Sequence, residues 1–210
     1  MNAAVAALTR GEVIGLPTET LFGLAADPWH PEAMRRLIRM KERPLDKGFI
    51  LLIGDRSQLT SLILPPSPLA LALMERFWPG PLTLVLPACE EVSPILTGGT
   101  RQIAVRISPA PQVSALFALW PRPLISTSAN RAGESPPKNA DEVRHIWRAE
   151  NLLIIDGEIQ PDALPSTVLR VEGEQVTLLR AGAIGVERLR EEVPGWNNYS
   201  TVTLLAKLRG

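Results

Sequence analysis

Between Arg35 and Lys47 the chain carries Arg35, Arg36, Arg39, Lys41, Arg43 and Lys47 against only Glu42 and Asp46. In a protein whose 22 basic and 22 acidic residues cancel, that asymmetry marks a local anion site, and a triphosphate would need about this much positive charge. Arg35, Arg36 and Arg39 by themselves read more simply as the solvated face of a basic helix. Lys41-Glu42-Arg43-Pro44 suits a helix end entering a rigid turn, which would hold an ammonium and a guanidinium near each other while Lys47 arrives from the next loop. Ser126-Thr127-Ser128-Ala129-Asn130 gathers hydroxyls and an amide that could hold phosphate or ribose oxygens, or serve equally as turn and helix-cap hydrogen bonds. Thr18-Glu19-Thr20 offers two hydroxyls and a carboxylate, a set able to hold the ammonium and hydroxyl of a small polar amino acid. Arg106, closing Ile103-Ala104-Val105-Arg106, could receive a carboxylate bidentately or form a surface ion pair. Ser166 and Arg180 sit at late strand ends, where each also has an ordinary structural explanation.

Several chemistries are disfavoured by what the sequence lacks. Neither a Gly-x-x-x-x-Gly-Lys-Ser/Thr loop nor a Gly-x-Gly-x-x-Gly turn occurs, so a bound nucleotide would need another design. His30 and His145 are the only imidazoles and neither has a triad setting, which makes a serine nucleophile unattractive. No histidine-carboxylate cluster suggests zinc, and no protein metal site is expected. The single cysteine, Cys89, can form neither an internal disulfide nor a multi-cysteine metal site, in keeping with a reducing cytosol. Without a basic leader or a long apolar run, the chain reads as soluble and cytoplasmic, with no membrane partner.

These groups must be positioned by a fold that 210 residues at 45% hydrophobic content can build around one core, as a single domain. Helices are expected over Ala3–Leu8, from Pro31 to Lys41 or Arg43, and over Leu69–Phe77, Gln112–Leu119 and Ala140–Ala149. Strands are expected over Val13–Leu16, Phe49–Ile53, Leu82–Leu86, Gln102–Ile107, Pro123–Thr127, Leu152–Ile155, Thr167–Val171 and Gln175–Arg180, with Thr18 to Gly23 at a strand end. Alternating helices and strands followed by late clustered strands predict an α/β sheet with some antiparallel pairing, and the 20 prolines mostly punctuate loops.

Taken in order, Pro17-Thr18-Glu19-Thr20-Leu21-Phe22-Gly23-Leu24, Lys41-Glu42-Arg43-Pro44 with Lys47, Trp78-Pro79-Gly80-Pro81-Leu82-Thr83, Ala104-Val105-Arg106, Ser126 to Asn130, Ser166-Thr167-Val168 and Leu179-Arg180-Ala181-Gly182 resemble the YrdC family in its short bacterial form. One segment alone would be weak, whereas the ordered set is specific. The resemblance implies a twisted, mixed parallel and antiparallel sheet flanked by helices, with a positively charged concave surface. It divides the chain into a catalytic domain over residues 1–185 and a C-terminal tail over 186–210 of unassigned role. The implied reaction joins L-threonine, bicarbonate and ATP into threonylcarbamoyl-AMP and pyrophosphate, a nucleotidyl transfer that feeds threonylcarbamoyladenosine formation in tRNA. Lys41 and Arg43 would be the catalytic cations; with Lys47 they would contact the ATP phosphates, and Ser128, Asn130 and Arg180 would hold the rest of the nucleotide. Thr20, Arg106, Ser126 and Ser166 would surround threonine. Mg2+ would arrive with ATP, and a separate threonylcarbamoyl transferase complex would act downstream, with direct tRNA binding left open. Phe22, Gly48 and Leu52 depart from the residues frequent in the family at those positions, tyrosine, proline and, in longer members, histidine.

The main alternative is a non-catalytic protein of the same fold that binds tRNA or double-stranded RNA through backbone phosphates. Zero net charge and 5% aromatic content weigh against it. A related adenylating domain acting on another amine is a further option, though the accessory regions such proteins carry have no room here.

Overall fold

The computed structural model describes residues 1–42, 44, 46–193 and 196, together with the backbone of 203–204. Its helices are α1 (Asn2–Thr9), α2 (Pro31–Lys41), α3 (Pro68–Phe77), α4 (Pro94–Thr97), α5 (Pro111–Phe117), α6 (Ala140–Ile146) and α7 (Val186–Glu192). The strands are β1 (Ile14–Pro17), β2 (Phe22–Ala26), β3 (Ile50–Leu52), β4 (Leu82–Pro87), β5 (Gln102–Arg106), β6 (Leu124–Ser128), β7 (Leu153–Ile154), β8 (Thr167–Glu172), β9 (Gln175–Arg180) and β10 (Thr203–Leu204). They form one mixed sheet in the order β10-β9-β8-β4-β5-β3-β6-β2-β1-β7. β3 with β5 and β4 with β8 run parallel, while β2 with β6, β3 with β6 and β4 with β5 run antiparallel.

The two-residue period of the strands sorts their side chains into two buried layers. Phe22, Leu24 and Ala26 of β2 point to one face with Leu51, Ile53 and Ile125, against Leu37 of α2, Leu73 of α3 and Val143 of α6. Ala25, Leu52 and Leu124 point to the other, where Ala4 and Leu8 of α1 and Val113 and Leu116 of α5 cover them. A sheet covered on both sides needs continuously apolar strands, and every residue of β1 and β2 is buried. Phe22 is fully buried in the larger layer. Phe22→Ala is therefore expected to cost about 3–5 kcal/mol of stability, read as a lower urea midpoint at unchanged slope.

Proline opens α2, α3, α4 and α5 at the first helical turn, where its missing N–H costs nothing. At the other end of α2, Glu42 takes a left-handed conformation with φ of 47°, so the helix stops directly after Lys41.

Several elements differ from their sequence reading, three of them near the site or at the C-terminal side of the sheet. β2 is a full central strand, although Gly-Leu-Ala-Ala offers neither β-branched residues nor alternation; burial on both sides makes it one. The helix expected over Ala140–Ala149 is α6 followed by a separate 3-10 turn at Arg148–Glu150. Beyond Gly185, α7 buries Leu189, and Val193 and Trp196 join the larger layer, while Glu192 pairs with Arg76 of α3 at 2.6 Å. No described helix is long and apolar enough to cross a membrane.

Candidate active site

A cavity of ≈ 210 Å³ opens over the centre of the sheet. This is below the roughly 300–1,000 Å³ of sites for drug-sized ligands and suits a small molecule. The strand register assembles its lining: Gly23 of β2 lies opposite Ser128 of β6, and Ile50 of β3 opposite Ser126. Arg106 reaches it from the end of β5, Ser166 from the residue before β8, and Arg180 from the end of β9. Gly23 is needed for the close approach, because a Cβ there would lie 3.1 Å from Ser126 Oγ and 3.2 Å from the Thr127 carbonyl oxygen.

Arg106 is 4% exposed and donates from Nη1 to Glu19 Oε1 at 2.7 Å and to Thr20 Oγ1 at 3.0 Å. Ser108 Oγ donates to the other Glu19 oxygen and accepts from the Ala110 amide at 3.2 Å. Thr18 Oγ1 donates to the Leu21 carbonyl at 2.7 Å, so in its 3.0 Å contact with Thr20 the proton comes from Thr20. Thr20 Oγ1, giving its proton to Thr18 and receiving one from Arg106, keeps one lone pair for a ligand donor.

Also in the lining, Arg180 donates from Nε to the Ser166 carbonyl at 3.0 Å and from Nη2 to Ser166 Oγ at 2.9 Å. Ser166 Oγ also contacts the fully buried Thr83 hydroxyl at 2.8 Å. Burial pushes both guanidinia below the usual arginine range; the Glu19 carboxylate opposes this at Arg106, and the Arg106 charge adds to it at Arg180. Both stay cationic near neutrality. Two guanidinia against the one carboxylate of Glu19 leave one positive charge in excess, which an anionic group of a ligand would relieve.

Beside this cavity, Lys41 at the end of α2 is 9% exposed and reaches the end of β6. Its ammonium donates to the Ser128 carbonyl at 2.8 Å and to the Asn130 carbonyl. Asn130 Nδ2 binds the carbonyls of Arg131 at 2.8 Å and Glu134 at 2.7 Å, folding the following loop against the strand end, while its buried Oδ1 has no partner. Lys47 is exposed in the segment that follows.

The family model of Sua5, YciO and YrdC proteins, described as telomere recombination, matches residues 6–182. The chain belongs to the Sua5/YciO/YrdC family. Within this family it is 40% identical over 162 residues to a threonylcarbamoyl-AMP synthase of Thiobacillus denitrificans, covering 77% of this chain and 86% of that protein. A threonylcarbamoyl-AMP synthase of Vibrio vulnificus is 39% identical over 184 residues, covering 87% of this chain and 98% of its own. The crystal structure of P. abyssi Sua5 complexed with L-threonine superposes with a TM-score of 0.85 at 34% identity, over 91% of this chain. This chain spans 56% of that longer Sua5 protein.

In this Sua5/YciO/YrdC member the structure brings Thr20, Arg106, Ser126, Ser128, Ser166 and Arg180 to one cavity, with Lys41 and Asn130 at its β6 side. Arg43 lies outside the described residues. Arg35 and Arg36, read as a solvated face, pair with Glu32 and Glu150. Glu19, read as a ligand for an ammonium, instead turns its carboxylate to Arg106 and Ser108. Ser108 carried no sequence signal, and Thr83 only as the last residue of Trp78-Pro79-Gly80-Pro81-Leu82-Thr83; Thr83 supports Ser166, which lines the cavity, and Ser108 supports Glu19 behind Arg106.

Ser166→Ala removes one of the two Arg180 contacts but leaves the carbonyl contact in place. On the reading proposed below, it is expected to raise KM for threonine about 3- to 10-fold, the loss of roughly 0.5–1.5 kcal/mol for one hydrogen bond, in steady-state assays at fixed ATP.

Proposed function

We propose that this protein condenses L-threonine, bicarbonate and ATP to threonylcarbamoyl-AMP and pyrophosphate, as a nucleotidyltransferase. The observation that carries this reading is the pairing of a small cavity holding Arg106, Arg180 and the Thr20, Ser126 and Ser166 hydroxyls with a Lys41-pinned strand end beside it. The names of the Thiobacillus denitrificans and Vibrio vulnificus relatives, and the threonine in the P. abyssi complex, support the choice of substrate. Residues 1–185 form the catalytic unit in this reading.

The threonine carboxylate lies against Arg106, and its amine and hydroxyl lie among Thr20, Ser126 and Ser166. Amine and bicarbonate condense to the carbamate with loss of water. A carbamate oxygen then forms a bond to the α-phosphorus of ATP, the bond from that phosphorus to the bridging oxygen breaks, and pyrophosphate carries away the electron pair. No protein nucleophile is needed; the work is positioning and neutralisation of the charge that builds on pyrophosphate. Lys41, Arg43 and Lys47 supply that charge, while Ser128, Asn130 and Arg180 hold the nucleotide. Magnesium enters as part of the MgATP substrate. The product passes to a separate transferase that modifies tRNA.

Purified protein with MgATP tests this reading. Pyrophosphate release should require both threonine and bicarbonate and fall to background when either is omitted. No release with threonine and bicarbonate both present, together with strongly salt-dependent RNA binding, would favour the RNA-binding alternative.

A further inference from the structure

Arg106 is a planar group with donors on three nitrogens, and both protons of its Nη1 are already committed, one to Glu19 Oε1 and one to Thr20 Oγ1. Two bonds from one nitrogen fix the plane of the whole guanidinium, and with it the direction of Nη2 and Nε. Those two nitrogens make no hydrogen bond among the described residues, although Arg106 is 4% exposed and lines the cavity. Of the two groups that hold Nη1, Thr20 is itself a wall of the cavity, whereas Glu19 is outside its lining. Glu19 is in turn held by Ser108, which is tied to the Ala110 amide at the start of α5. The chain of contacts therefore runs from a helix end through Ser108 and Glu19 to the guanidinium, and leaves two of its nitrogens without a hydrogen bond among the described residues.

We propose that Glu19 is a positioning residue that fixes the Arg106 plane so that Nη2 and Nε receive the α-carboxylate of the amino-acid substrate, with Ser108 fixing Glu19. This rests on the reading of the cavity as the threonine site. Glu19 touches no reacting atom; it acts through Arg106, and its oxygens are spent on Arg106 and Ser108 rather than on the substrate amine. A carboxylate accepting on a fixed pair of nitrogens loses less orientational freedom on binding than one gripped by a mobile guanidinium, so the effect belongs to substrate affinity.

Threonine and ATP binding are measured separately by calorimetry on wild type, Glu19→Ala, Glu19→Gln and Ser108→Ala, with melting temperatures recorded alongside. Glu19→Ala should weaken threonine binding by roughly 10-fold or more and leave ATP affinity within about 2-fold, as expected for a misplaced binding group. Glu19→Gln retains an acceptor for Arg106 Nη1 and should recover at least half of that loss on a logarithmic scale. Ser108→Ala should weaken threonine binding about 3-fold, the loss of one supporting hydrogen bond, and it carries the test if Glu19→Ala does not fold. Threonine affinity equal to wild type in Glu19→Ala, an equal loss of threonine and ATP binding, or a Glu19→Gln protein as weak as Glu19→Ala would overturn the positioning role. With Glu19→Ala unfolded, unchanged threonine binding by Ser108→Ala would overturn it too. Wild-type protein that binds ATP but no threonine would instead remove the substrate reading beneath it.

Discussion

Arg106→Lys should lower kcat/KM for threonine by about 10- to 150-fold while kcat at saturating threonine falls much less. Lysine keeps the positive charge but replaces a planar set of donors with a single ammonium. In the native site Nη1 is held by Glu19 and Thr20, and the remaining guanidinium nitrogens of this cavity-lining residue make no hydrogen bond among the described residues. An ammonium that stays with Glu19 leaves the substrate carboxylate without its paired donors, a loss of roughly 1.5–3 kcal/mol for a charged hydrogen bond, which is the quoted range of rate effect. The charge-keeping substitution is the sharper probe. Arg106→Ala would strand a partly buried Glu19 carboxylate and cost stability of about 3–5 kcal/mol, confusing a binding effect with unfolding. Steady-state kinetics with threonine varied at saturating ATP read the result, and a kcat/KM within about 2-fold of wild type would remove Arg106 from substrate recognition.

Lys41→Ala is expected to lower kcat/KM for ATP by about 100-fold or more, through two effects that add. Its ammonium docks on the carbonyls of Ser128 and Asn130, so truncation takes a buried donor from two backbone acceptors at the end of β6. In the proposed reaction it also removes a positive charge from the place where pyrophosphate develops negative charge, a kind of contact whose loss costs about 100- to 1,000-fold in comparable sites. Lys41→Arg separates the two contributions: it restores charge, but a guanidinium cannot reproduce the compact placement of an ammonium between two carbonyls. Rates close to wild type in Lys41→Ala, at an unchanged melting temperature, would move the phosphate site elsewhere.

Much of this site was legible in the sequence because its parts sit at strand ends and helix ends, which leave local signals. Pro31 marks the start of α2, and Lys41-Glu42-Arg43-Pro44 marks its end, as the left-handed Glu42 bears out. Arg106 closes a strand whose alternation is plain, and Ser126 to Asn130 follow an apolar run. The buried central position of β2 was not legible, since Phe-Gly-Leu-Ala-Ala becomes an interior strand only by pairing on its other side from β1 with β6, about a hundred residues further along the chain. The same reason hid Ser108 and the support that Thr83 gives to Ser166. A serine in a proline-rich turn and a threonine inside a strand have many ordinary uses, and their contacts with Glu19 and Ser166 span 89 and 83 positions of sequence. Glu19 was noticed for its type but misread in its role, because a carboxylate beside two threonines looks like a ligand until the buried Arg106 is seen to claim it.

The central claim is tested most directly by identifying the product. Protein incubated with MgATP, threonine and isotopically labelled bicarbonate should yield threonylcarbamoyl-AMP carrying the label in its carbamoyl carbon, detected by mass spectrometry in step with pyrophosphate. Pyrophosphate accompanied by plain threonyl-AMP, or by an adenylate without the label, would contradict the account.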